Sequence, residues 1–198
     1  VLVQQVLMGN LVTAPRLTEG LPADLPAYIR QRILAGAMAG RAELPLNMDA
    51  WDGYPAARDR VFRAALDANA NLISLAGDTH NAWAFDLDHA GEKVGVEFGV
   101  QGVTSPGLES YASYLPVDVL ERETVAHNRQ LKWMDGSRRG YMAVELTPAS
   151  ASSVFRFVSS VGSANDLGAP ENSRPPAATP SFGQSSSACL LRAILRGF

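Results

Sequence analysis

The feature that most constrains the fold is a helix, a strand and a polar loop in direct succession between residues 55 and 80. Pro55 suits the first turn of a helix, and the apolar side chains that follow share one side of it. These side chains are Val61, Phe62, Ala65 and Leu66. The helix should end near Asn69, and the short apolar run over residues 71–76 predicts a buried strand. Because α/β proteins place their chemistry at the carboxyl ends of strands, the next residues, 77–80, are the first candidates for a site.

The rest of the chain predicts further strands with helices around them. Residues 1–8 are rich in β-branched and aliphatic side chains and predict a strand, and helices are predicted at residues 25–39 and 117–131. The remaining predicted strands are residues 83–87, 94–98, 100–104, 140–146 and 153–158. This mixture indicates an α/β fold with helices outside the sheets, rather than an all-α or all-β protein.

Composition excludes several classes of protein. The chain has 198 residues, with 17 Lys and Arg against 20 Asp and Glu, so its net charge of −3 argues against a basic nucleic-acid-binding face and against nucleic acid as a partner. No apolar run approaches the roughly 20 residues of a transmembrane helix. Cys189 is the single cysteine and therefore forms no internal disulfide.

The two ends of the chain differ from its middle. The first residues, starting with Val1, resemble the interior of a folded domain, and we expect the chain to be incomplete at its N-terminus. Of the 29 residues in 159–187, 15 are Ser, Gly or Pro, which predicts disorder. Residues 189–198 are apolar and basic, and two interpretations stay open for them: a loosely docked helix or out-of-frame translation. We therefore divide the chain into a domain at 1–158 and a low-complexity tail at 159–198.

Gly77-Asp78-Thr79-His80 is the strongest candidate for chemistry. A carboxylate and an imidazole two residues apart can both face one pocket, and both are metal ligands. Two ligands do not complete a metal site, and a structural turn is the alternative interpretation. Other catalytic patterns are missing from the sequence: the Gly-x-Ser-x-Gly elbow, the phosphate-binding Gly-x-x-x-x-Gly-Lys loop and the Gly-x-Gly-x-x-Gly turn.

A second cluster, Trp51-Asp52-Gly53-Tyr54, has two possible roles. It forms either an aromatic plug over the core or a wall beside the pocket of Asp78 and His80. The other two histidines are weaker candidates, because His89 falls in a predicted hairpin turn and His127 in a predicted helix.

The motifs taken together resemble one family, in their order and in their spacing. They are Asn47-Met48-Asp49-Ala50-Trp51-Asp52-Gly53-Tyr54-Pro55-Ala56-Ala57-Arg58, Gly77-Asp78-Thr79-His80-Asn81-Ala82-Trp83, Val96-Glu97-Phe98, Thr104-Ser105-Pro106-Gly107, Asn128-Arg129-Gln130-Leu131-Lys132-Trp133 and Arg139-Gly140-Tyr141. From about Val1 to Val158, the chain closely resembles the C-terminal part of PhoD-like alkaline phosphatases, which belong to the calcineurin-like metallophosphoesterase superfamily.

The resemblance implies a fold and a metal centre. The fold is part of a four-layer α/β/β/α sandwich, and the cofactors are iron and calcium. His80 corresponds to a ligand of the iron and Asp78 to a ligand of the calcium. Asn81, Trp51, Asp52 and Tyr54 are expected to bind substrate or to support the metal ligands. The family's other ligands are a cysteine, aspartates, a tyrosine and an asparagine from an upstream half that this sequence lacks, so its catalytic residues stay unknown.

The function implied by the resemblance is metal-dependent hydrolysis of small-molecule phosphate esters, either monoesters or diesters, by a periplasmic or secreted enzyme. Two alternatives stay open: a non-catalytic remnant of such a phosphatase, and another metallophosphoesterase such as a nuclease. With only two ligands, the chain alone is expected to be a very poor phosphatase. We expect the side chains of Asp78 and His80 to point into one partly exposed cavity at the end of a strand.

Overall fold

The computed structural model describes residues 1–19 and 21–158 in full and the backbone of residues 188–194. A five-stranded sheet contains β1 (Leu2–Val3), β2 (Leu72–Ala76), β3 (Ala82–His89), β4 (Glu92–Gly99) and β5 (Leu131–Asp135). Its strand order is β1-β2-β4-β3-β5. β1, β2 and β4 are mutually parallel, and β3 is antiparallel to both β4 and β5. Four of the five strands therefore end at the same edge of the sheet, which we call the carboxyl edge.

A smaller antiparallel sheet covers one face of the first. It contains β6 (Gly140–Thr147), β7 (Ser150–Phe157) and β8 (Ala188–Ile194), in that order. Between the two sheets lies an apolar core that includes Ile73, Val96 and Phe98 from the large sheet and Phe155 and Phe157 from β7. Alternate residues of β2, β3, β4 and β7 point into this core, as expected when two sheets pack face to face.

Two of the helices, at residues 55–67 and 117–127, pack against the opposite face of the large sheet. The helices are α1 (Ala27–Arg41), α2 (Pro55–Asp67), α3 (Leu108–Tyr111) and α4 (Val117–His127), with short 3-10 helices at Pro15–Thr18 and Trp51–Gly53. Phe62 of α2 packs with Trp83, Phe85 and Leu87 of β3 in a second core. The described residues thus form helix, sheet and sheet layers, which confirms the predicted α/β class.

The predicted end of α2 is confirmed, and local geometry explains it. Asn69 adopts a left-handed conformation with φ of 49°. The N–H groups of Asn69 and Ala70 donate to the carbonyls of Leu66 and Ala65 at 2.9 and 2.8 Å. This pair of bonds closes a Schellman motif, which satisfies the carbonyls at the end of the helix.

Three predicted elements differ from the structure. The first strand covers only Leu2–Val3 rather than residues 1–8, residues 100–104 form no strand, and the helix predicted at 117–131 ends at His127. A fifth strand of the large sheet, β5, starts instead at Leu131.

The C-terminal residues are described only in part. Residues 188–194 pair with β7 as an antiparallel strand, so this segment is not the docked helix that the sequence allowed. The predicted disorder of residues 159–187 lies outside the described residues, and the domain boundary at 158 stays a prediction. None of the helices described is both long and apolar enough to cross a membrane.

Candidate functional site

The residues 77–81 form a strained loop directly after β2, at the carboxyl edge. Asp78 and His80 both have positive φ, of 68° and 61°. The N–H of Thr79 donates to the carbonyl of Gly77 at 2.8 Å and closes the turn. Asp and His are among the residues that tolerate this left-handed region best, although it still costs on the order of 1–3 kcal/mol per residue. Such strain is common in functional sites and requires firm support from the surrounding structure.

Both predicted metal ligands are exposed on this loop. A carboxylate oxygen of Asp78 accepts one long hydrogen bond, from Nε2 of Gln5 at 3.5 Å. His80 Nδ1 lies 3.1 Å from the carbonyl oxygen of Pro106. A carbonyl only accepts hydrogen bonds, so this contact assigns a proton to Nδ1, and in the neutral imidazole the lone pair is then on Nε2. Histidines that bind metals usually donate their other ring N–H in this manner.

Two buried side chains hold the loop from behind. Asn81 is only 2% exposed. Its Nδ2 donates to the carbonyl of Thr79 at 2.5 Å, and its Oδ1 accepts from the N–H of Leu108 at 2.9 Å. Nε1 of Trp83 donates to the Thr79 hydroxyl at 2.6 Å. The tight turn is therefore connected both to β3 and to the loop that precedes α3.

The second predicted cluster has contacts of its own. Trp51 Nε1 donates to Oε1 of Gln4 at 2.5 Å. Asp52 is buried and accepts hydrogen bonds from the Leu11 N–H at 2.8 Å and from Arg58, with which it also forms an ion pair. Tyr54 is 58% exposed. These contacts do not join the cluster to the 77–81 loop, and a role of Trp51, Asp52 and Tyr54 toward substrate stays a prediction.

A cavity of about 330 Å³ lies at the other edge of the large sheet, which we call the amino edge. Its lining residues are Asn10, Arg58, Asp59, Phe62, Asp88, His89, Ala90, Arg129 and Gln130. His89, which was predicted in a hairpin turn, is part of this lining, and its Nδ1 lies 3.5 Å from the Asp59 carboxylate. His127 is exposed near the end of α4.

One key residue, a buried carboxylate, was not identified from the sequence. Glu97 of β4 is fully buried. It accepts hydrogen bonds from the N–H groups of Met8 and Gly9 at 2.9 and 2.8 Å and from the Ser74 hydroxyl at 2.8 Å. Burial raises the pKa of Glu97, although these donors oppose the shift. An acidic residue inside an apolar strand, Val96-Glu97-Phe98, was the signal that could have identified it.

The metal chemistry of the site can be judged from its donors. An exposed carboxylate and an imidazole with a free Nε2 fit a metal centre by type, because oxygen suits calcium and imidazole suits iron. They do not fit by number. Within the described part of the chain, no three His, Cys, Asp or Glu side chains are grouped so that they can hold a metal ion.

The comparisons with known proteins agree with this architecture. The family model of PhoD-like phosphatases matches residues 1–155, so the chain belongs to the PhoD-like phosphatase family. Alkaline phosphatase D of Bacillus subtilis (strain 168) is 32% identical over 127 residues, which cover 60% of this chain and 21% of the relative. The chain thus spans about a fifth of the length of that curated relative.

A solved structure of PhoD supports the fold. It aligns with a TM-score of 0.52 and 21% sequence identity, covering 79% of this chain and 25% of that chain. The expected family and fold class are confirmed by these comparisons. The functions of individual residues are not addressed by them, so the assignments of Asp78 and His80 stay predictions.

Proposed function

We propose that this chain is the C-terminal portion of a metal-dependent phosphoesterase and that Asp78 and His80 are two of its metal ligands. The observation that carries the proposal is the strained loop at the carboxyl edge, where His80 commits Nδ1 to the Pro106 carbonyl and keeps Nε2 available. Membership of the PhoD-like phosphatase family supports phosphoester hydrolysis as the chemistry. Small phosphate esters are the proposed substrates, and the proposed location is the periplasm or the exterior of the cell.

The family resemblance implies how the metals are divided between the two residues, and the donor types fit that division. His80 would hold iron through its imidazole, and Asp78 would hold calcium through its carboxylate oxygens. A centre of two metals supplies activation of water and neutralisation of the charge on phosphoryl oxygens. The protein's own contribution here is to hold both side chains on one short loop, exposed to solvent and substrate.

Two ligands are too few for a metal centre, so the rest must come from other residues. The curated relative is about five times longer than the region that it shares with this chain. We therefore propose that the remaining ligands belong to another part of a longer phosphatase. This chain by itself would bind metal weakly and turn over phosphate esters poorly.

Metal titration of the 198-residue chain tests the assignment of ligands. Co²⁺ serves as a paramagnetic probe for imidazole and Ca²⁺ as a probe for carboxylate. We expect Co²⁺ to broaden the NMR signals of residues 77–81 first. His80→Ala should remove this effect, whereas the control His127→Ala, at an exposed helix position, should preserve it. Broadening that is strongest around His89 or His127 in the unaltered chain would contradict the assignment.

Hydrolysis of a chromogenic phosphate ester tests the activity. The chain alone should hydrolyse it poorly even with iron and calcium supplied. In the longer phosphatase, His80→Ala should lower turnover by several orders of magnitude without loss of folding, and His127→Ala should not. Robust hydrolysis by the chain alone would mean that the catalytic centre lies elsewhere.

A further inference from the structure

The loop that carries His80 suggests a role for its buried neighbour. We propose that Asn81 is a positioning residue, which fixes the His80 imidazole in the tautomer with the proton on Nδ1 and the lone pair on Nε2. This inference rests on the proposed function, because it explains how His80 is made ready for a metal. Asn81 itself touches neither substrate nor metal.

The loop at residues 77–81 needs support from outside itself. Asp78 and His80 are in left-handed conformations on either side of Thr79, a combination that a free chain rarely adopts. The hydrogen bond from Thr79 to Gly77 closes the turn but does not place it relative to other loops. The position of the His80 ring must therefore be set by contacts from outside the turn.

Asn81 connects the 77–81 loop to the segment that contains Pro106 and Leu108. Its Nδ2 donates to the Thr79 carbonyl, directly before His80. Its Oδ1 accepts from the N–H of Leu108, two residues after Pro106, whose carbonyl faces His80 Nδ1. The Asn81 amide thus links the same two segments that the contact between His80 and Pro106 links.

The absence of a side chain at Gly107 leaves room for the Asn81 amide. A Cβ atom at Gly107 would lie 2.4 Å from Oδ1 of Asn81, so any other residue there would displace the amide. Asn81 is almost fully buried, and both sides of its amide are bonded. Its removal would leave the Thr79 carbonyl and the Leu108 N–H without this partner, and the two loops would separate.

The contact between His80 and Pro106 has a chemical consequence for the imidazole. An imidazole in water exchanges between its two tautomers, and the hydrogen bond of one ring nitrogen decides which tautomer a protein keeps. Loss of the Pro106 contact would allow protonation of His80 Nε2, the atom that a metal would use. Changes in such supporting residues typically lower metal affinity about 10- to 100-fold.

The test uses long-range ¹H–¹⁵N NMR spectra of the histidine rings in the full chain, without metal, at about pH 8, where histidine is ordinarily neutral. In the unaltered chain, His80 should show the pattern of the Nδ1–H tautomer. In Asn81→Ala, its pattern should approach that of the exposed His127. If His80 keeps the Nδ1–H pattern in Asn81→Ala, or lacks it in the unaltered chain, the proposal is wrong.

Asn128→Ala is the matched control, because Asn128 is another buried asparagine. It accepts from the Val12 N–H at 2.7 Å and donates to the Val12 and Thr124 carbonyls, away from the 77–81 loop. Asn128→Ala should lower stability and leave the His80 tautomer unchanged. A changed tautomer in Asn128→Ala would mean that any loss of stability alters it and that Asn81 has no specific role. If Asn81→Ala does not fold, Asn81→Ser, which also removes the amide, takes its place with the same expected result.

A Co²⁺ titration of the same samples separates this proposal from the proposed function. We expect the Co²⁺ affinity at His80 to fall about 10- to 100-fold in Asn81→Ala. If His80 changes tautomer in Asn81→Ala but the unaltered chain binds no Co²⁺ there, the positioning role holds and the metal function fails. If the unaltered chain does bind Co²⁺ at His80, an equal affinity in Asn81→Ala would contradict the positioning role.

Discussion

Paired charged side chains at the amino edge of the large sheet contrast with Asp78 and His80 at the carboxyl edge, where Asp135 is paired as well, with Arg138. At the amino edge, charged groups bond to one another: Arg58 pairs with Asp52, and Arg129 Nη2 lies 2.6 Å from Oδ2 of Asp88. Burial alone would raise the pKa of Asp88, but hydrogen bonds from Arg129 and Gln130 lower it below its usual value. At the carboxyl edge, Asp78 and His80 are exposed on a strained turn and form few bonds with the protein.

The difference indicates which of these side chains serve structure and which serve chemistry. A side chain whose hydrogen bonds are all internal has little capacity left for a ligand, and its removal mainly affects stability. A side chain that is held in a strained conformation with free atoms contributes little to stability, and such strain favours a functional role. The size of the cavity at the amino edge is therefore a weaker guide to function than the availability of donor atoms at the carboxyl edge.

The largest expected effect concerns the buried ion pair of the amino edge. Asp52→Asn leaves the Arg58 guanidinium without its anion, in a place where the side chain is only 16% exposed. We expect the free energy of unfolding to fall by about 3 kcal/mol. Urea denaturation of the full chain, followed by circular dichroism, measures this change.

Asp78→Asn is the matched control at the carboxyl edge. Asp78 is exposed, and Asn also tolerates left-handed backbone, so the change should stay within about 0.5 kcal/mol. The double variant Asp52→Asn/Arg58→Met should recover part of the loss, because it removes the unpaired charge. Equal effects of Asp52→Asn and Asp78→Asn would refute the contrast between the two edges.

Local sequence patterns predicted the elements that local interactions stabilise. α2 and β2 were predicted correctly, because a strong apolar stripe, Pro55 and the Asn69 turn all lie within the segment itself. The candidate loop was also found from local features, since it follows a buried strand directly. The sequence also predicted that Asp78 and His80 are at least partly exposed, but not the strain of the loop, because its conformation depends on the Pro106 and Asn81 contacts with a distant loop.

Two of the wrong predictions share one physical cause, which is contact with residues far away in the sequence. The first strand is short because the N–H groups of Met8 and Gly9 bond to Glu97 rather than to a neighbouring strand. The helix α4 ends early because Asn128, its C-terminal neighbour, bonds to the backbone of Val12, 116 residues away. Such pairings leave no periodic pattern in the sequence.

A smaller effect is expected from an acidic group beside the carboxyl edge. Burial, together with the charge of Asp135, raises the pKa of Glu121 to about 7, although the N–H of Gly136 opposes the shift. A raised pKa means that the folded state favours the protonated carboxyl. The contribution of Glu121 to stability is therefore greatest below about pH 4.5 and is lost as pH rises through about 7.

Glu121→Gln removes this pH dependence and keeps an oxygen for the Gly136 N–H. We compare the free energy of unfolding of Glu121→Gln with that of the unaltered chain at each pH. The difference should favour the variant by about 1–2 kcal/mol more at pH 8 than at pH 4.5, a figure that allows for partial solvent exposure. Urea denaturation at both pH values measures it. Glu123→Gln, on the same helix, is the control, and an equal pH-dependent gain there would argue against a specific effect of Glu121.

The smallest effect measures the strain at the candidate site itself. His80→Gly and His80→Ala both remove the imidazole, but only glycine adopts a φ of 61° without a steric penalty. We expect His80→Gly to be more stable than His80→Ala by about 1 kcal/mol. In helix α4 the order should reverse, with His127→Gly less stable than His127→Ala by up to about 1 kcal/mol. Thermal denaturation of the four variants gives both differences. If His80→Gly is no more stable than His80→Ala, the 80 position is not strained, and the functional argument for the carboxyl edge then rests on the exposure of its ligands alone.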